Sequence, residues 1–234
     1  PAQARADDDP PRIDLTAIRA RWTADRDPLP AMSLDVDPGC RLVITGPNGS
    51  GKSTLLAVIA RHLDPMSGVY SLDGLDALSA DVDDIRATFA IVDDEPHVFA
   101  SSLRENLRLA RPSAADEEVT EALTVAGLDA WLAALPGGLD TLLGTAGRGV
   151  SGGERARLAL ARAVLSERPV LLLDEPVAHL DHATSVAVFR DIARAAQGRS
   201  VVAVSHHTDA LTGFGQQIDV ADLRAALSRA PRRA

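Results

Sequence analysis

Short continuous apolar runs alternate along the chain with stretches of helical spacing. Arg41-Leu42-Val43-Ile44 reads as a buried strand that ends in a glycine loop, Gly46 to Gly51. Ser53 to Leu63 then carries apolar residues at helical intervals. Val69 to Leu72 reads as a short strand closed by an Asp73-Gly74 turn, and Thr88 to Val92 as another. From Ser101 to Leu165 the period is helical, interrupted at Pro136-Gly137-Gly138 and at Gly144 to Gly153. Val170 to Leu173 and Val201 to Val204 are again continuous, as strands covered on both faces should be. Thr184 to Ala196 between them reads as a helix, and Leu223 to Ala234 as a short helix with a frayed basic end. Strands alternating with helices predict an α/β fold built on a mainly parallel sheet.

Composition narrows the picture. The chain has 234 residues, enough for one globular domain, or one domain with a small companion. The formal charge is 24 − 33 = −9, which argues against a general nucleic-acid binder. One cysteine, Cys40, leaves neither a disulfide framework nor a multi-cysteine metal site. No apolar run approaches the roughly 18 residues of a membrane span, and no basic-then-apolar leader is visible. A soluble chain of a reducing compartment, or a soluble piece of something larger, is expected. Pro1 to Pro11 is polar and proline-rich and reads as a linker. Lys52 is the only lysine, against 23 arginines. A coding bias toward arginine explains the rest of that imbalance; the surviving lysine is the first residue to question.

Its surroundings answer. Gly46-Pro47-Asn48-Gly49-Ser50-Gly51-Lys52-Ser53 fits G-x-x-x-x-G-K-[ST], with Thr54 next in the helix. Glycines let successive N–H groups turn inward toward phosphate oxygens, and the following helix presents its positive end to the same anion. Lys52 then reaches the β- and γ-phosphates while the Ser53 hydroxyl ligates Mg²⁺. The competing reading is a bare strand-to-helix turn. Far along the chain, Val170-Leu171-Leu172-Leu173 ends in Asp174-Glu175, and strand ends are where open α/β sheets bind ligands. Asp174 is placed to hold Mg²⁺ and Glu175 to polarise an attacking water; two acids closing a strand in a solvated turn are the bland alternative. Ser151-Gly152-Gly153-Glu154 opens a helix, with capping-box spacing and a second anion-binding helix start.

In this order the motifs resemble the nucleotide-binding domain of ABC transporters, over nearly the whole chain. The resemblance implies a P-loop, RecA-like α/β core with a β-rich N-terminal part and an inserted α-helical subdomain. It implies that Gly46 to Thr54 bind ATP, that Ser151, Gly152, Gly153 and Glu154 touch the ATP of a partner chain, and that Asp181 lies in the D-loop Ala178-His179-Leu180-Asp181. His206 would sense the γ-phosphate, with His207 a bystander, and Trp22 would stack on adenine, a core role for Trp22 being the alternative. The Mg²⁺ set becomes Ser53, Asp174 and Asp94. Asp94 departs from the family, which has glutamine there; the extra charge should alter coupling or slow turnover. Domain bounds of 1–11 for the linker, 12–96 with 167–221 for the core, 97–166 for the helical subdomain and 222–234 for the tail follow.

His97-Val98-Phe99 through Arg104-Glu105-Asn106-Leu107 resembles the segment with which exporter-type domains face their membrane partner. Within exporters the likeness extends to the bacterial heterodimeric cysteine and glutathione exporters that serve cytochrome bd assembly. The implied partners are an upstream transmembrane domain and a second nucleotide-binding domain, head to tail, at the cytoplasmic face of a bacterial membrane, with no nucleic acid. Two alternatives stay open: a nucleotide-binding module of weak turnover that regulates a partner, favoured by Asp94, and a soluble cassette ATPase without transport. A P-loop kinase lacks any use for Ser151-Gly152-Gly153.

Overall fold

Alternation decides the first sheet. In β1 (Ile13–Arg19) and β2 (Met32–Val36), Ile13, Leu15, Ile18, Met32, Leu34 and Val36 are buried while their neighbours face outward. With β4 (Ser67–Leu72) and β5 (Leu75–Asp76) these strands form an antiparallel sheet ordered β2-β1-β4-β5. The second sheet obeys the opposite rule. Its strands are β3 (Arg41–Thr45), β6 (Phe89–Val92), β7 (Val170–Asp174), β8 (Ser200–Val204) and β9 (Gln216–Asp219), ordered β6-β7-β8-β3-β9 and parallel throughout. Leu171, Leu173, Val201 and Ala203 enter one core, and Val170, Leu172, Val202 and Val204 the other. Apolar groups are needed on both faces, so these strands show unbroken apolar runs. The computed structural model describes residues 9–144, 149–178, 180–196, 198–206 and 213–225.

Helix α1 (Lys52–Ile59) and the antiparallel sheet cover one face of the parallel sheet. After α2 (Val82–Ala87), the helices α3 (Leu103–Arg108), α4 (Asp116–Val125), α5 (Asp129–Ala134) and α6 (Gly152–Leu165) supply the other core, with α7 (His182–Ala195) packed against α6. Ser102 and Ser151 start α3 and α6 with capping boxes, satisfying amides that a helix start leaves open. Arg162 ties α6 to the preceding segment. It donates from Nε to the Asn106 carbonyl at 2.9 Å, from Nη1 to the His97 carbonyl at 2.6 Å and from Nη2 to Asn106 Oδ1 at 2.7 Å. Its guanidinium also lies 5.8 Å from the Phe99 ring centre, and burial pushes it below its usual pKa.

Four readings change. Helix α1 stops at Ile59 rather than Leu63, because Arg61 takes a left-handed backbone (φ 55°) that turns its side chain onto the Ala77 carbonyl and Asp64. Pro10 and Pro11, placed in the linker by composition, are buried. β9 is polar, and the sequence gives no sign of it. The C-terminal helix α8 (Val220–Ala225) begins three residues before Leu223 and straddles the boundary drawn at 222. Residues 1–8 of the expected linker, residues 145–148 of the glycine-rich interruption, His179, His207 and the tail beyond 225 lie outside the described residues. Among the described residues no helix is long and apolar enough to cross a membrane.

Leu172 sits fully buried in the centre of β7. Leu172→Ala should lower unfolding free energy by about 2–5 kcal/mol in urea titration; a loss below about 1 kcal/mol would show that this core collapses around the gap.

Candidate functional site

Parallel strands end on a common edge, and the register shows which ends meet. Ile44 and Asp174 both lie opposite Val204. The residues that follow, the loop from Gly46, Glu175 and the Ser205-His206 turn, therefore converge. In the loop, Gly46 has φ 149°, and a Cβ there would stand 2.6 Å from Val220 Cγ1. Gly51 has φ 98°, and a Cβ would stand 1.9 Å from Leu29 Cδ1. Only glycine fits either position. Gly51 is the N-cap of α1, so Lys52 begins that helix. The Lys52 ammonium is buried and donates to the Gly46 carbonyl at 2.9 Å and the Pro47 carbonyl at 3.2 Å, with Glu175 Oε1 3.6 Å away.

Glu175 is the joint of the site. Its backbone is left-handed (φ 44°), costly for a residue with a side chain, and its amide donates to the Val204 carbonyl at 3.1 Å. The second carboxylate oxygen lies 2.8 Å from His206 Nδ1 and accepts from the His206 amide at 3.2 Å. One carboxylate thus spans the ammonium and the imidazole. Beside it, Ser53 Oγ donates to Asp174 Oδ1 at 2.9 Å. Burial raises the Asp174 pKa most; the Ser53 hydrogen bond opposes this, and the charges of Asp94, Glu175 and Asp93 add to the rise. A carboxylate held in such a negative field gains from a hard cation, and Ser53 and Asp174 are oxygen donors of the type Mg²⁺ takes. Among the described residues no three His, Cys, Asp or Glu side chains are grouped to hold a metal alone. Further oxygens must then come from a ligand or water.

A cleft of about 980 Å³ opens over this edge. Asn48, Gly49, Ser50, Gly51, Lys52, Ser53 and Thr54 form its floor, with Asp94, Glu175 and His206 on one side. Gly46 and Pro47 contribute through the carbonyls that hold Lys52. Trp22 stands at the rim, 56% exposed, its Nε1 donating to Thr54 Oγ1 at 3.3 Å. A core role for Trp22 is thereby overturned. Ser151, Gly152, Gly153, Glu154 and Asp181 do not border this cleft. Gly152 instead lines a second hollow of about 470 Å³ with Arg155, Leu180 and, from its other wall, Asp94. Asp181 caps α7, accepting from the Thr184 amide and hydroxyl, and those bonds lower its pKa. Three features of the cleft escape the sequence reading: Arg21 and Arg26 near the rim, the Pro28-Leu29-Pro30 wall, and Arg224 from α8. None belongs to a motif, and the last lies in a segment that composition marks as a tail.

Comparison with known proteins supplies an independent view. The family model described as ABC transporter matches residues 29–178. The chain is 36% identical over 194 residues to an ATP-dependent lipid A-core flippase of Neisseria meningitidis, covering 83% of this chain and 31% of that protein. It is 36% identical over 197 residues to the mycobactin import ATP-binding/permease protein IrtB of Mycobacterium tuberculosis, covering 84% of this chain and 34% of that one. The chain spans about a third of the length of the curated relatives it matches. Among solved structures, a bacterial Atm1-family ABC exporter with ATP bound superposes with a TM-score of 0.81 at 26% identity, over 100% of this chain and 45% of that one.

The glycine loop admits a direct test. Gly51→Ala should leave the circular dichroism spectrum intact while weakening tripolyphosphate binding by about tenfold or more in titration calorimetry, since Leu29 must move and the loop amides turn with it. Undiminished binding would show that the loop tolerates the added methyl.

Proposed function

The chain belongs to the ABC transporter family, and from that premise we propose that it is the ATP-binding and ATP-hydrolysing domain of an exporter-type transporter. The observation that carries the reading is the Glu175 carboxylate, shared between Lys52 and His206 above the glycine loop. Phosphoryl transfer to water asks a protein mainly for position and charge. The amides of Asn48 to Thr54 cradle the phosphates, and Lys52 supplies the fixed positive charge. Glu175 accepts a hydrogen bond from the attacking water. His206 holds Glu175 at both its ring nitrogen and its amide. Ser53 and Asp174 would hold Mg²⁺, with Asp94 beside them, and the ion would supply positive charge to offset that of the phosphate oxygens. Trp22, exposed and tethered to Thr54, serves as a shelf for adenine.

Ser151, Gly152, Gly153 and Glu154 lie outside this cleft and serve the nucleotide of a second copy or a homologous domain, docked head to tail, with Asp181 at the same seam. An upstream transmembrane domain is the other partner, with this domain at the cytoplasmic face of a bacterial membrane. The core comprises 12–96 and 167–221, extended to 225 by α8, and 97–166 forms the helical subdomain. A narrower reading, export of cysteine or glutathione, rests on the His97 to Leu107 segment and Ala178 to Asp181; uptake of labelled glutathione by inverted vesicles tests it. The second reading, a module of weak turnover, draws on Asp94, whose charge borders the cleft.

Lys52→Ala should weaken ATP binding by about tenfold or more in titration calorimetry. Glu175→Gln should retain binding while turnover falls at least about a hundredfold; near-normal turnover would remove Glu175 from the water's side. In the reconstituted transporter, Asp94→Gln should raise steady-state ATP turnover by about threefold or more, because one negative charge leaves the phosphate's surroundings. An unchanged rate would strip Asp94 of that braking role.

A further inference from the structure

The C-terminal helix reaches the phosphate loop at the end of the parallel sheet. β9 runs parallel to β3 with Asp219 opposite Thr45, so the two strands end together and α8 starts beside the loop. Val220 fills the space next to Gly46. Four residues later, on the same helix face, Arg224 donates from Nη2 to the Ser50 carbonyl at 2.7 Å, across 174 positions of sequence. The guanidinium borders the cleft, and among the described residues no carboxylate pairs with it. Its Nε is buried without a hydrogen-bond partner, and so is the Ser50 hydroxyl beside Gly46.

Docking of α8 does not call for this arrangement. Val220 and Leu223 are buried and supply the apolar contact. An arginine at 224 instead directs a charged donor at one loop carbonyl, and a planar guanidinium holds such a contact in a fixed direction. The peptide joining Ser50 to Gly51 is trans and planar, so its C=O and N–H point opposite ways. A donor that holds the Ser50 oxygen therefore also fixes the direction of the Gly51 amide on the other side of the same peptide. Gly51 is also where the backbone takes φ 98°, a conformation easily lost in a flexible residue.

We infer that Arg224 is a positioning residue for phosphate binding: it fixes the Ser50–Gly51 peptide plane and thereby the direction of the Gly51 amide. The inference rests on the reading of the cleft as the ATP site. The test uses the 234-residue chain, a fluorescent ATP analogue, and displacement by ATP and by inorganic tripolyphosphate, which engages the cradle alone. In Arg224→Met both competitors should weaken by the same factor, about tenfold, the scale of one charge-assisted hydrogen bond. Arg224→Lys, which keeps the charge and loses the planar fork, should fall between. The thermal midpoint of each folded variant separates this from a loss of packing, which would lower the midpoint and leave tripolyphosphate affinity of the folded fraction unchanged. Tripolyphosphate affinity within about twofold of the parent overturns the inference. So does a loss confined to ATP, since the guanidinium would then act on base or ribose. If Arg224→Met does not fold, the lysine variant decides by the same criterion. A parent chain that binds no tripolyphosphate overturns the ATP-site reading itself, a distinct result.

Discussion

A buried ammonium needs partners, and in this protein the partners organise the fold's working edge. Lys52 meets two carbonyls of its own loop and one oxygen of Glu175. Stranding such a charge would cost several kcal/mol, so each partner is held to its place. Glu175 comes from the strand two places away in the sheet, and His206 from the strand between. The pair is thus possible only while β7, β8 and β3 keep their register. Stability of the sheet and competence of the site share the same hydrogen-bonded ladder.

Much of this is legible from residues alone, and the reason is two-sided burial. Val170 to Leu173 and Val201 to Val204 must serve two cores at once, so no polar residue interrupts them. The glycine loop is legible because its φ values and close contacts exclude other residues. β9 is hidden for the opposite reason. Gln216-Gln217-Ile218-Asp219 has one partner strand and faces solvent, so pairing with β3 rather than composition makes it a strand. Arg224 is hidden by distance. No local pattern can announce a contact that closes a loop of 174 residues.

Asp94 and Ser151 to Glu154 illustrate a different limit. Their identities are readable, but Asp94 lines the cleft over the glycine loop while Ser151, Gly152, Gly153 and Glu154 do not. Asp94 borders both hollows, the one over the glycine loop and the one against Gly152.

The segment that holds His97 and Phe99 has a mechanical property of its own. Arg162 spends its donors on His97 and Asn106 from within α6, the helix that starts at Ser151. Asn106 in turn holds the Phe99 amide and carbonyl. Displacing the exposed Phe99 would disturb several of these part-buried hydrogen bonds together. The exposed ring is thereby tied to the fourteen-residue α6, so the segment and the helix that starts at Ser151 are held as one piece.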